Sequence, residues 1–315
     1  MRMLLAFVVL SSAACDPDGS PRSVSEEAKP VVAAPRPKPG PIDLSLAAGF
    51  EMRHPIRDGE VVIVPIVATG PVPDLHYVTL ADGLAAHKVT VREIARGEDF
   101  QVDHVRIRNK GIEPLFVMTG ELIYDGLQDR AIAEDRIIAP GEKVDVAVRC
   151  VEQGREEGRM DFHASGVLAE IGLRQKILYA EQQDVWAKIE SINTAHHLTP
   201  STRTYREAAE LQHATAAAAR RDGIAHQLAA LPDRDKLVGL ALLTGGRVVE
   251  LDRFATPELY GRLELELLGS YLASDGLPPH EGHNPVPADV RAFVTDSWAQ
   301  GARTTGASYT AVVRQ

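Results

Sequence analysis

From residue 42 to about residue 160, short β-branched or alternating apolar runs follow one another between turn signals, a β pattern. Glu60 to Val67 is rich in β-branched residues. Lys88 to Ile94 and Val102 to Arg108 alternate strictly, and similar runs follow over 115–124, 127–133, 136–139 and 142–151. Asn109-Lys110-Gly111, Asp125-Gly126 and Pro140-Gly141 separate them with turn chemistry. Short strands at this spacing predict an antiparallel sandwich-like half. From about residue 167 the period becomes helical: Val185, Trp186 and Ile189 mark one helix within 179–193. Ser201-Thr202 opens a long helix reaching about Leu231, with Leu211, Ala214, Ala218, Ile224 and Leu228 on its faces. Val238 to Phe254 reads as a hairpin around Gly245-Gly246. Thr256-Pro257-Glu258 then starts a helix running to about Ser274, with Thr as N-cap and Pro at the first helical position. The expected fold class is α+β: an antiparallel β-sandwich-like N-terminal half with helices and an additional β-hairpin packed on it.

The N-terminus sets the expected address. Arg2 precedes an apolar run, Leu4 to Leu10, which is too short to span a bilayer and has the form of a secretory signal. Ser11 to Ala14 are small residues directly before Cys15, as in a bacterial lipobox. Residues 1–14 are therefore expected to be a signal peptide and Cys15 a lipidated residue; a plain signal with Ser12 and Ala14 as cleavage residues is the alternative. Residues 15–41 are rich in Pro and Ala without an apolar period and are expected to be a disordered linker, with a single domain over 42–315. The expected location is the cell envelope, with the membrane as a partner through the lipid anchor. A net charge of −10 and the lack of a Lys/Arg cluster argue against nucleic acid. With Cys15 lipidated, Cys150 has no intramolecular partner, so stability must come from a core rather than a disulfide.

The stretch Gly120 to Arg130, GELIYDGLQDR, places charge where a buried hairpin is expected. A type I′ turn needs positive φ at both central residues, and Asp125-Gly126 suits it. With those two residues as the loop, Glu121 lies directly across from Arg130, and Gln128 shares their face. Such a cluster is either a cross-strand salt bridge or a polar ligand site. A second polar group follows in Arg149-Cys150-Val151-Glu152-Gln153-Gly154-Arg155. Val144, Val146, Val148 and Cys150 alternate inward, so the cysteine reads as core. Glu152, Gln153 and Arg155 fall where the strand ends, the usual place for functional groups.

These two segments, PLFVMTGELIYDGLQDR and APGEKVDVAVRCVEQGR, resemble the ARG and rhodanese–phosphatase-superfamily-associated protein domain, with CVEQGR as the most specific motif. The likeness continues through Gln183 to Trp186, Val238-Gly239, the Gly245-Gly246 hairpin and Leu267 to Tyr271, covering roughly 50–275. The resemblance implies an association with ADP-ribose or NAD-related metabolism and names no reaction. It carries over Glu121, Gln128, Arg130, Glu152, Gln153 and Arg155 as candidate positions. Two functions follow from these residues. In a binding module, Gln128, Arg130, Gln153 and Arg155 hold an anionic or sugar/nucleotide-type ligand, since guanidinium forks suit carboxylate and phosphate. In a hydrolase, Glu121 or Glu152 is the general acid/base, with a raised carboxyl pKa. A purely structural envelope protein is the third reading. No cofactor is indicated.

Other motifs carry less. His280-Glu281-Gly282-His283 lies among prolines, reads as a loop and is not expected to bind metal. His196-His197 follows a helix end. Asp161, His163 and Ser165 are triad residue types without evidence of triad geometry.

Overall fold

In the computed structural model, residues 49–59, 61–96, 99–155, 157–244, 247–273, 303–304 and 308–312 are described. The signal peptide, Cys15, the linker, Gly245-Gly246 and His280 to His283 lie outside them.

The β-branched run and the late hairpin, far apart in sequence, form one sheet. β1 (Phe50–Met52) and β2 (Ile56–Asp58) both pair with one side of β3 (Val61–Ala68). Pro65 explains the division. It offers no N–H, and the break between β1 and β2 falls opposite it, where only its carbonyl is used, by Arg53 N at 2.9 Å.

β4 (Val78–Thr79) leads into α1 (Leu80–Ala85), capped by the Thr79 hydroxyl. β5 (Val89–Arg96) and β6 (Asp99–Asn109) make a long hairpin. β7 (Leu115–Val117), β8 (Glu121–Asp125), β9 (Arg130–Ile132), β10 (Arg136–Ile138), β11 (Lys143–Cys150) and β12 (Asp161–Leu168) complete the first half.

The second half begins with α2 (Ile171–Tyr179), α3 (Gln182–Ala195), α4 (Arg206–Glu210) and α5 (Thr215–Ala229). β13 (Leu237–Thr244), β14 (Arg247–Phe254), α6 (Pro257–Leu272), β15 (Arg303–Thr304) and β16 (Ser308–Val312) follow.

The α+β class holds, but the sandwich does not. β11, β6, β5, β12, β8 and β9 close into a six-stranded barrel. Val89, Val91, Val105, Ile107, Ile123, Ile132, Val146, Val148 and Phe162 belong to one buried cluster in it. β3 is not part of it. It joins β13 and β14 in a seven-stranded sheet ordered β1-β3-β13-β14-β16-β15 with β2 beside β3, while β10-β7-β4 form a third, small sheet. Alternation looks the same in a sandwich and a barrel; only long-range pairing separates them.

Two further expectations are corrected. The strand 115–124 is broken at Thr119-Gly120, where Gly120 takes φ +94° and a Cβ would come 2.7 Å from Cγ of Arg174. The helix expected over 201–231 is divided into α4, a 3₁₀ turn at Leu211–His213 and α5, with Ala214 extended at ψ 148°. Thr204, Tyr205 and Gln212 direct their side chains into buried hydrogen bonds there, which a continuous helix from residue 201 does not accommodate. The hairpin β13–β14 and helix α6 match expectation, including the bond from Leu259 N to the Thr256 hydroxyl at 3.1 Å. α6 contributes Leu259, Leu263, Leu267 and Tyr271 to the largest core cluster, together with Phe116, Leu168, Leu240 and Phe254.

Candidate functional site

The loop between β8 and β9 is longer than two residues. Ile123 pairs with Arg130 and Leu122 with Ala131, so Glu121 is not opposite Arg130 and the expected ion pair is absent. Asp125 and Gly126 do take positive φ, 77° and 56°. Yet Asp125 also pairs with Phe162 of β12, and the chain turns back only after Asp129. Gly126 tolerates no side chain, because a Cβ would come 2.1 Å from the Phe162 ring.

Asp129 is the hub of this loop and is almost wholly buried. Its Oδ1 accepts from Asp125 N at 3.1 Å, from Arg155 Nη2 at 3.1 Å and from Arg206 Nη2 at 2.7 Å. Its Oδ2 accepts from Arg206 Nε at 3.0 Å and from the Thr204 hydroxyl at 3.3 Å. Arg206 also lies over the Tyr124 ring at 4.2 Å. Arg155 donates further to Glu152 Oε2, to Gly126 O and to Asp125 O. Glu152 in turn accepts from Asp129 N at 3.0 Å. Burial pushes the Glu152 carboxyl up, but hydrogen bonds from Arg155, Thr202 and Asp129 N outweigh it and hold the group below the usual range. The segment bearing Thr204 and Arg206 is tied alongside by Gln153 N to Thr202 O and Tyr205 N to Val151 O, both at 2.9 Å. The Gln153 side chain faces outward and accepts from Arg203 at 3.2 Å.

Arg130 points the other way, into the end of the barrel. Its Nη1 donates to Gln128 Oε1 at 3.1 Å, and Nη2 lies 3.5 Å from Glu93 Oε1. Both charged side chains are sealed from solvent, and Glu93 also accepts from Leu127 N at 2.9 Å. Cys150 pairs with Arg130 in the β9–β11 register and is buried; burial raises its thiol pKa, with Arg130 opposing.

Glu121 is separated from all of these. Its Oε2 accepts from Met118 N at 2.6 Å. Burial lifts its carboxyl well above the usual range, with Glu266 and Asp135 adding to the effect. Glu266 on α6 is itself pushed up to about 7 by burial and by Asp82. Each raised carboxyl favours folding at low pH; for Glu266 that contribution is lost as pH rises from about 4.5 through about 7, and for Glu121 as pH rises through its raised value. Glu266→Gln is expected to match the native protein at pH 4 and to be more stable by about 2 kcal/mol at pH 8, by urea denaturation at both values. A difference independent of pH contradicts the assignment.

Five of the six expected positions, Gln128, Arg130, Glu152, Gln153 and Arg155, thus gather at one end of the barrel, and Glu121 does not. The residues missed from sequence are Asp129, Arg206, Thr204 and Glu93. Glu93 left a signal, since it continues the inward phase of Val89 and Val91. Arg206 left none, being one arginine in a polar helix.

The network has a consequence at the surface. Arg155 and Asp129 hold the backbone of Asp125 from its carbonyl and its N–H. The Asp125 carboxylate lies 3.0 Å from Nδ1 of His163, whose ring meets Tyr124 edge-on. His163 lines a cleft of ≈ 550 Å³ between α1 and β12, with His87, Thr90, Asp161 and Ser165 around an apolar floor of Leu84, Val91 and Phe162. The cleft opens because β12 pairs with β5 only at Asp161 and Phe162. The triad types do not form a relay: Asp161 bonds Arg92 and Ser165 donates to Leu122 O. Among the described residues no group of His, Cys, Asp and Glu is placed to hold a metal ion.

A profile of the ARG and Rhodanese-Phosphatase-superfamily-associated Protein domain matches residues 49–313. No curated protein and no solved structure matches the chain. The profile spans the barrel, the seven-stranded sheet and the helices between them, and the chain belongs to this domain family.

Proposed function

We propose that the chain is an exported, lipid-anchored module that binds a small sugar- or nucleoside-type ligand. The observation that carries this reading is the cleft beside His163, with its imidazole held by an aspartate whose backbone the arginine network clamps. Arg155 is engaged by Glu152, Asp129 and two backbone carbonyls, and Arg130 is sealed at the barrel end against Gln128 and Glu93, so both position the loop rather than grip an anion. The cleft offers hydroxyls, imidazoles and one carboxylate over an apolar floor, groups that suit a hydroxylated ring. An ADP-ribose-related ligand is included because the resemblance to this family implies a link to ADP-ribose metabolism. The hydrolase reading through Glu121 or Glu152 has little to support it. Glu121 is buried away from the cleft, and Glu152 is held ionised by its partners. Anchoring through Cys15 rests on the sequence of the N-terminus alone.

The test is a thermal-shift panel on the full chain with ADP-ribose, NAD, nucleosides and hexoses. A ligand at 100 times its Kd stabilises by about 2.7 kcal/mol. His163→Ala, half-exposed and outside the core, is expected to abolish the shift without lowering the basal Tm. A shift that survives His163→Ala places the ligand elsewhere, and no shift with any compound favours the structural reading. Fractionation of Cys15→Ser cells completes the test; membrane retention of that variant rules out the anchor.

A further inference from the structure

The helical half contains a second cavity that the arginine network does not touch. It measures ≈ 270 Å³ and is bounded by α3, α4, α5 and α6. Ile192 and Leu272 wall it, and Ala217 leaves the space open. Leu211, 38% exposed, stands at its mouth. Tyr205 and Gln212 are polar groups on its lining, and both are more than nine-tenths buried.

The hydrogen-bond inventory of those two groups is incomplete. Gln212 donates through Nε2 to Leu168 O at 3.1 Å and reaches Tyr205 Oη at 3.5 Å, which fixes the orientation of its amide. Its carbonyl Oε1 has no donor among the described residues, and it lies only 3.1 Å from where a Cβ on Gly269 would stand. Tyr205 Oη accepts from Glu170 N at 3.1 Å and from Gln212, so its own hydrogen still needs an acceptor. An amide oxygen on a cavity wall is best paired by a donor that occupies the space beside it.

Charge, by contrast, is already balanced there. The Glu170 carboxylate accepts from Gly172 N at 3.2 Å and Leu173 N at 2.8 Å and pairs with Lys188 at 3.2 Å. Arg220 at the rim is bound to Asp58 at 2.7 Å. A charged ligand would gain no free counter-ion and would lose its hydration.

We propose that this cavity is a binding site for a neutral, fragment-sized, largely apolar molecule with one hydroxyl or amide group, donating to Gln212 Oε1 and accepting from the Tyr205 hydroxyl. The volume is below the range of about 300–1,000 Å³ usual for drug-sized ligands, which sets the size class. The site is independent of the cleft at His163.

The experiment is saturation-transfer NMR on the full chain with benzyl alcohol and benzamide, and with toluene as the probe lacking a polar group. The polar probes are expected to bind, and toluene at least about tenfold more weakly, a difference of about 1.4 kcal/mol. Ala217→Leu fills the cavity and is expected to weaken benzyl alcohol at least about tenfold. Ala216→Leu, on the exposed rim, serves as a second blocking variant should Ala217→Leu fail to fold by circular dichroism. His163→Ala is expected to leave probe binding unchanged. No binding by either polar probe overturns the inference, as does equal binding by the folded blocking variants. Loss in His163→Ala instead would place the probes in the cleft and overturn it as well.

Discussion

Arg174→Met is expected to lower the unfolding free energy by about 3–5 kcal/mol at pH 7. Arg174 on α2 is buried beneath the seven-stranded sheet. Its Nη1 lies 2.7 Å from Glu250 Oε1, and its two terminal nitrogens donate to the two oxygens of Asp252 at 3.1 and 3.2 Å. Tyr271 on α6 donates to the same Asp252 at 2.9 Å. Three elements, α2, β14 and α6, therefore meet at Asp252. Burial alone lowers the pKa of Arg174, but Asp252 and Glu250 outweigh it and keep the group charged. Glu250 is pushed well above the usual carboxyl range by burial, against the pull of Arg174 and with Asp252 adding to the rise. Met fills the arginine stem but removes the guanidinium that Glu250 and Asp252 share. Arg174→Met/Glu250→Gln/Asp252→Asn is expected to recover most of the loss, since a neutral hydrogen-bonded site costs less than a stranded ion. Guanidinium chloride unfolding at pH 7 checks both. A loss below about 1 kcal/mol for the single variant would mean that water reaches Asp252.

How far such a site is legible before folding depends on the range of its contacts. The strands β5, β6 and β11 follow from alternation, and α6 follows from Thr256-Pro257, because those signals are local. The barrel does not follow, since its closure rests on β9 meeting β11 and β12 meeting both β5 and β8. Nor does the pairing of Val61 with Thr244, which takes β3 out of the first half. The candidate site divides in the same way. Gln128, Arg130, Glu152 and Arg155 stand out as polar residues in apolar strands. The phase of the hairpin placed Glu121 and Arg130 on a common face, but a loop longer than two residues changed the register and sent them to different partners. Asp129 carries no such signal because it lies on the opposite phase, and its partner Arg206 comes from a helix with no local cue. Arg174 shows the same limit: within IGLRQKILY it is one cation in an ordinary helix, and only the packing of β14 against α2 reveals its role.

Asp129→Asn is expected to destabilise the domain by about 2–3 kcal/mol and to loosen the wall of the cleft. The substitution keeps the shape of the side chain, so the loss reports charge and donor arrangement rather than a cavity. Asn presents one carbonyl oxygen where the carboxylate presents two, and its amide nitrogen faces donors: Arg155, Arg206, Thr204 and Asp125 N converge on Asp129. Arg206 suffers most, because its Nε and Nη2 both donate to Asp129, leaving the Tyr124 ring beneath it. Arg155 keeps Glu152 and the carbonyls of Asp125 and Gly126. Both arginines are partly exposed, so water recovers some of their solvation, which keeps the expected loss below that of Arg174→Met. Asp125 loses the acceptor for its N–H, and its pairing with His163 is expected to become heterogeneous. Arg155→Lys separates the two roles. It keeps one charge near Asp129 and Glu152 but cannot reach both backbone carbonyls as the fork does. If the network serves the cleft, Arg155→Lys weakens ligand binding more than it lowers Tm, whereas Asp129→Asn lowers both. NMR of the His163 ring in the two variants checks the coupling directly. An unchanged His163 environment in Asp129→Asn would show that the arginine network stabilises the barrel end without shaping the cleft.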